Sequence, residues 1–223
     1  MKDILSPSIM CADLLNLEGE IRKLEEAKVD LIHIDIMDTT FTDTTMLPPK
    51  IIPLIMNITD IPLDVHVMIS EPERIINTFL PYCNGNYVSF HVEVTKEMAS
   101  IIQQVKKAGG KAGVALNSAT PVYVLEELIP HIDMVLLILG DAGTGPRQIL
   151  DEQLLNKIAK VREMLIKMDR EDIIIEVDGG VSFEVARRTK EKGANAFVLG
   201  TSSIYQPGKS VVELCNYLRE YLK

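Results

Sequence analysis

Residues 31–38 read Leu31-Ile32-His33-Ile34-Asp35-Ile36-Met37-Asp38. Isoleucine alternates with a histidine, an aspartate and a methionine. Side chains at i and i+2 of an extended strand share a face, so His33, Asp35 and Met37 project together, opposite the isoleucines. A short apolar, β-branched run bounded by polar segments reads as a buried strand. Seven more such runs lie at 4–10, 63–68, 87–92, 112–116, 134–139, 173–177 and 196–199. Leu and Ile alternate with Glu and Lys at helical spacing over 14–27, 95–108, 122–128, 151–168 and 183–192, and 211–222 fits a final helix. Lys107-Ala108-Gly109-Gly110 and Lys192-Gly193 have the form of helix C-caps before the next strand.

Successive strands start roughly 22 to 40 residues apart, the size of one βα unit. Eight such units predict an α/β fold, a (β/α)8 TIM barrel occupying residues 1–223 as one domain. A doubly wound open sheet is the alternative; it has fewer strands and often a Gly-rich loop after the first. Here the first strand leads into Cys11-Ala12-Asp13-Leu14, without glycine.

Composition agrees with a folded domain: 47% of the 223 residues are hydrophobic and 25% charged. The formal net charge of −9 opposes nucleic acid and anionic membranes as partners. Backbone N–H groups can still bind a phosphate locally. Three cysteines, Cys11, Cys83 and Cys215, with no C-x-x-C, support neither a disulfide framework nor a zinc finger, and a reducing cytoplasm is the expected compartment. The longest apolar run, 134–139, is too short to span a bilayer, and the first residues carry no signal-peptide pattern.

Barrel active sites lie at the C-terminal ends of the strands. There strand two brings His33 and Asp35, strand three brings His66 on the same face as Asp64 and Met68, and strand seven ends in Glu176-Val177-Asp178-Gly179-Gly180. Two histidines and two aspartates from three strands can hold a divalent transition metal such as zinc, manganese or iron. A single H-x-D is commonly just a satisfied pair; three strands delivering the same chemistry to one rim point beyond that. Asp64 and Glu176 lie one step deeper and read as buried hydrogen-bonding acids. Gly179-Gly180 and Gly200-Thr201-Ser202 follow strands seven and eight, where barrels bind phosphate.

The chain resembles the ribulose-phosphate 3-epimerase family almost end to end. The resemblance runs through Ser6-Pro7-Ser8-Ile9-Met10, His33-Ile34-Asp35-Ile36-Met37-Asp38, Leu63-Asp64-Val65-His66-Val67-Met68 and His91-Val92-Glu93. It continues through Ala112-Gly113-Val114-Ala115-Leu116-Asn117, Val177-Asp178-Gly179-Gly180 and Val198-Leu199-Gly200-Thr201-Ser202. The start and the Gly200-Thr201-Ser202 form are similar to the allulose 6-phosphate branch. The resemblance implies metal-assisted epimerisation at C3 of a ketose phosphate, with ribulose 5-phosphate the default substrate. By position, His33, Asp35, His66 and Asp178 would hold one divalent metal (Zn, Mn, Fe or Co), and Asp35 and Asp178 would be the acid/base pair. Ser8 would touch substrate near the reacting carbons, Met37 and Met68 would line the site, and Gly179, Gly180, Gly200, Thr201 and Ser202 would hold the phosphate. A homo-oligomer, dimer or hexamer, is also implied.

Two loops depart from the family pattern. After strand two, the usual Gly, Pro and Asn are replaced within Asp38-Thr39-Thr40-Phe41-Thr42-Asp43-Thr44. After strand six, Asp141-Ala142-Gly143-Thr144-Gly145-Pro146-Arg147-Gln148 keeps Gly143 and Gly145 but loses a Phe, and Ile138 stands where a methionine is usual. Arg147 is a candidate anion ligand. Two other functions fit less well. A sugar-phosphate lyase would place a lysine beside the aspartates, and none follows Asp35. A non-catalytic sugar-phosphate-binding protein has no need of a two-sided acid/base pair.

Overall fold

The computed structural model describes residues 1–143 and 151–223. Its strands are β1 (Ile4–Pro7), β2 (Ile32–Met37), β3 (Leu63–Met68), β4 (Tyr87–His91), β5 (Lys111–Leu116), β6 (Met134–Ile138), β7 (Ile174–Asp178) and β8 (Ala196–Leu199). All neighbouring strands pair in parallel, in the order β1-β8-β7-β6-β5-β4-β3-β2. The ring closes where β1 meets β2. There the N–H groups of Asp30 and Leu31 donate to the Leu5 carbonyl at 3.1 and 3.2 Å, and Ser8 forms a parallel bridge with His33. This is the eightfold βα barrel the strand count predicts.

The helices are α1 (Leu17–Glu26), α2 (Ile51–Met56), α3 (Met98–Lys107), α4 (Glu152–Lys167), α5 (Phe183–Glu191) and α6 (Val211–Tyr221). Asp151, Ser182 and Ser210 cap α4, α5 and α6 by accepting from N–H groups of the first turn. Three sequence expectations change. The first strand is shorter than 4–10, because the chain turns into a 3-10 helix at Ile9–Cys11. The segment 122–128 is not an α-helix but a 3-10 turn, Val122–Leu125, where β-branched valines in a short stretch between Pro121 and Pro130 favour the tighter form. Helix α2, with Pro53 inside its six residues, has no counterpart in the expected elements.

Alternation along each strand divides the core in two. Outward residues such as Ile34, Ile36, Val65, Val67, Val114, Ile175 and Phe197 join helix residues in one continuous apolar shell. Inside, a plug of Leu31, Met134, Ile174 and Ala196, packed with Ile4 and Tyr87, fills the N-terminal end of the barrel. Above that plug the lumen is polar apart from an apolar wall of Ala115, Leu136 and Ile138 on β5 and β6, and this layer carries the site.

Gly113 of β5 makes room in that layer. It pairs with Ser89 of β4, and a Cβ added there would sit 2.0 Å from Ser89 Oγ and 2.9 Å from Ser89 Cβ. Gly113→Ala is expected to destabilise the fold by about 1–3 kcal/mol in urea titration. Adding Ser89→Gly should recover part of the loss; equal stability of the single variant and the native chain would contradict this packing.

Candidate active site

The register of β2 on β3 sets His33 beside Asp64, Asp35 beside His66, and Met37 beside Met68. Asp35 sits at the centre. Its Oδ2 accepts from Ser8 Oγ at 2.6 Å, while Oδ1 lies 3.2 Å from His33 Nε2 and 3.3 Å from His66 Nδ1. Asp178 arrives from β7, three strands away around the ring. Its Oδ1 accepts the Gly179 N–H at 2.7 Å, and its Oδ2 stands 3.8 Å from His66 Nδ1. One donor atom from each of His33, Asp35, His66 and Asp178 lies within 4.8 Å of the other three.

This donor set fits a divalent transition metal. Donors bound at about 2.0–2.2 Å to one tetrahedral ion stand about 3.3–3.6 Å apart. The contacts of 3.2, 3.3 and 3.8 Å bracket that spacing. Two imidazoles and two carboxylates are also the mixed nitrogen and oxygen ligands such ions take.

Each histidine is backed by a further group. His33 Nδ1 lies 2.5 Å from Asp64 Oδ2, which also accepts from Ser6 Oγ at 3.0 Å. Glu176 adjoins Asp64, so both deeper acids stand beneath the four donors, as the sequence indicates. His66 Nε2 lies 2.9 Å from His91 Nε2 with the rings stacked, and His91 Nδ1 lies 3.1 Å from Glu93 Oε2. Glu93 Oε1 in turn accepts from the Asn117 N–H at 2.8 Å and from the Thr120 hydroxyl. Sequence reasoning reads His91-Val92-Glu93 only as part of the family resemblance and gives Glu93 no role. The signal was present: His91-Val92-Glu93 repeats the spacing of His33-Ile34-Asp35.

Burial works against every charge here, and neighbours decide which survive. Asp35 is held far below the usual carboxylate range because His33 and His66 outweigh its desolvation. Burial and then repulsion from Asp35 push Asp178 up. Burial and then Asp64 push Glu176 well up. His33 is raised, despite burial, by Asp64 and Asp35. The two aspartates facing one another across the site are thus driven in opposite directions.

An open cavity lies above the donors. Asp35 and Asp178 reach it, as do Ser8, Met37, Met68, Gly143, Gly179, Gly180, Gly200, Thr201 and Ser202, all expected from the sequence. His33 and His66 form its fully buried floor instead. Gly145 and Arg147 lie outside the described residues. Met10, Cys11, Ile138, Gly140, Asp141, Val181 and Val198 complete the described lining, which holds no lysine or arginine. Gly179 and Gly180 have φ of +107° and +60°, which bare glycine tolerates, and they lead to the capped N-terminus of α5. The two divergent loops touch. Phe41 packs on the His91 ring at 4.8 Å, and a Cβ on Gly143 would meet Thr42 Cβ and Cγ2 at 2.7 Å.

Burial, against the pull of Glu93, depresses the His91 pKa to about 4. An unfolded histidine protonates near 6.5. The stability contributed by the neutral ring is complete above about pH 6.5 and is lost as pH falls towards 4, on the order of 3 kcal/mol. Urea titration of metal-free native and His91→Gln protein is expected to show their stability gap narrowing on that order between about pH 7.5 and pH 4. A gap independent of pH would contradict a neutral, buried His91.

Comparison with known proteins places this geometry in a lineage. The profile of the Ribulose-phosphate 3 epimerase family matches residues 4–205. The chain is 40% identical over 201 residues to the ribulose-phosphate 3-epimerase of Bacillus subtilis, covering 90% of this chain and 91% of that one. It is 36% identical to the chloroplastic ribulose-5-phosphate-3-epimerase of Arabidopsis thaliana, covering 89% and 70%. Among solved structures, KGPDC from Streptococcus mutans superposes with a TM-score of 0.70 at 14% identity, covering 100% and 98%. A mutant tryptophan synthase alpha-subunit from Pyrococcus furiosus gives 0.69 at 14%, covering 99% and 98%. Those two share the barrel. No helix among the described residues is long and apolar enough to cross a membrane. With a profile match across most of its length and relatives up to 40% identical over nine-tenths of it, the chain belongs to the ribulose-phosphate 3-epimerase family and is an epimerase, an isomerase-class enzyme.

Proposed function

We propose that this chain inverts C3 of a ketose phosphate, ribulose 5-phosphate and xylulose 5-phosphate in the first instance. In this reading Asp35 and Asp178 exchange the C3 proton on opposite faces. The observation that carries it is the meeting of those two carboxylates, from strands three apart, at the floor of one cavity. Inversion needs a base on one face of the planar intermediate and an acid on the other, and one carboxylate cannot serve both. Ser8 Oγ donates to Asp35 Oδ2 and the Gly179 N–H to Asp178 Oδ1, while the other oxygen of each faces the histidines, which fixes both carboxylates at the pocket floor. Their opposed proton affinities are the mark of a base and an acid sharing a site.

His33, Asp35, His66 and Asp178 would hold one divalent metal, zinc, manganese, iron or cobalt. Bound there, the ion would stabilise negative charge developing on the substrate's C2 and C3 oxygens. Met37, Met68 and Ile138 give the reacting carbons a dry wall, which strengthens each charge interaction within. Gly179, Gly180, Gly200, Thr201 and Ser202 suit the phosphate, since they bring bare backbone to the cavity beside the N-terminus of α5. The absence of lysine from the described lining argues against a lyase. The contact between the two divergent loops favours a second reading in substrate only. Phe41 and Thr42 pack against the segment Ala142–Gly143, and Gly143 lines the cavity, so the substrate in this second reading is a tetrulose or a hexulose phosphate such as allulose 6-phosphate.

The test is C3–H exchange in deuterated water, followed by NMR across tetrulose, pentulose and hexulose phosphates. Exchange with formation of the epimer is expected, and chelation should remove it. Asp35→Asn and Asp178→Asn should each lower it by about 10²–10⁴-fold. Undiminished exchange in either variant would overturn the acid/base assignment.

A further inference from the structure

The two buried histidines offer different ring nitrogens to the same pocket. His33 turns Nε2 to Asp35 and Nδ1 to Asp64. His66 turns Nδ1 to Asp35 and Asp178, and Nε2 to His91. A ring nitrogen that is to bind a cation must be bare, and what fixes the proton on the other nitrogen is the group behind it. Behind His33 stands a carboxylate, which only accepts. Behind His66 stands a second imidazole, with the two Nε2 atoms 2.9 Å apart. At that distance one donates and the other accepts. The direction is decided on the far side of His91, whose Nδ1 lies 3.1 Å from Glu93 Oε2. A carboxylate takes the proton of Nδ1–H, so the His91 Nε2 is bare, and the proton between the rings belongs to His66 Nε2.

We propose that Glu93 is a positioning residue for the epimerase site: through His91 it keeps a proton on His66 Nε2, so that Nδ1, which faces Asp35 and Asp178, is the ring nitrogen left for a cation. The same carboxylate seats the loop after β5, since its Oε1 accepts from Asn117 N–H and Thr120 Oγ. Asn117 Oδ1 accepts the Ala142 N–H at 3.0 Å, which ties the start of the loop after β6 to that seat. Lys157 of α4 braces it from behind, donating to the Asn117 and Ser118 carbonyls at 2.5 and 3.2 Å. One acid just past β4 therefore orders both a ligand histidine and the loops above it. The inference rests on the metal reading above, but the proton positions can be read without metal.

Glu93→Gln separates the two duties. Its single acceptor oxygen can serve Asn117 and Thr120, and the amide then faces His91 Nδ1 and reverses the chain. Long-range ¹H–¹⁵N NMR of histidine-labelled, metal-free protein reads which nitrogens carry protons. In the native chain and in Thr120→Val, which weakens only the loop contact, His91 is expected to be protonated at Nδ1 and bare at Nε2, with His66 protonated at Nε2. In Glu93→Gln the His91 proton should move to Nε2. Zinc affinity, measured by competition with a chromophoric chelator, should then fall by about 10–100-fold; Thr120→Val should stay near the native value. Native protein with His91 bare at Nδ1 would overturn the proposal. So would a Glu93→Gln protein that keeps both proton positions and its zinc affinity while only losing stability. Native proton positions as expected, in a chain that binds no zinc, would support the relay and count against the metal reading alone.

Discussion

The site depends on the in-register pairing of two strands. His33, Asp35 and Met37 on β2 lie level with Asp64, His66 and Met68 on β3, so each histidine meets an aspartate and the methionines meet one another. Strand alternation has period two, so a slip of one residue in either strand would send its three site-facing side chains into the apolar shell and bring its own aliphatic residues, Ile34 and Ile36 or Val65 and Val67, inside. The penalty for burying unpaired charge in that shell makes the register self-enforcing. The polar ladder therefore specifies the alignment of β2 and β3 and the chemistry at their ends at once.

Such a ladder survives in a barrel lumen because most of its members pair with one another. His33 lies between Asp35 and Asp64, Asp64 takes Ser6, and His66 is backed by His91 and Glu93. Burial and the neighbouring Asp64 push Glu176 towards its neutral form, which eases the charge problem. Apolar layers bound the polar one on both sides: the Leu31–Met134–Ile174–Ala196 plug beneath, and Met37, Met68 and Ala142 above. Water is kept from the floor while Asp35 and Asp178 still reach the cavity, an arrangement that makes small differences in environment count heavily for the two carboxylates.

Most of the barrel was legible because β-branched runs and βα spacing are local signals. The convergence of His33, Asp35, His66 and Asp178 was legible because strand periodicity is strict and barrel sites sit at strand ends. The failures have one physical theme. Val122–Leu125 and Ile51–Met56 are too short for periodicity to distinguish a 3-10 turn, a helix and a loop. Glu93 was missed because it lies in a 3-10 turn just past β4, where alternation no longer says which way a side chain points. The contact between Thr42 and Gly143 joins loops about 100 residues apart and has no local signature at all.

The central claim is that one register-built cluster forms a single four-donor centre under the cavity. Anomalous diffraction at the zinc edge from crystals of the zinc-loaded chain tests it most directly. The account predicts one ion about 2.0–2.2 Å from His33 Nε2, His66 Nδ1 and an oxygen each of Asp35 and Asp178. An ion bound elsewhere, or held through His66 Nε2 with that ring turned from His91, would contradict it.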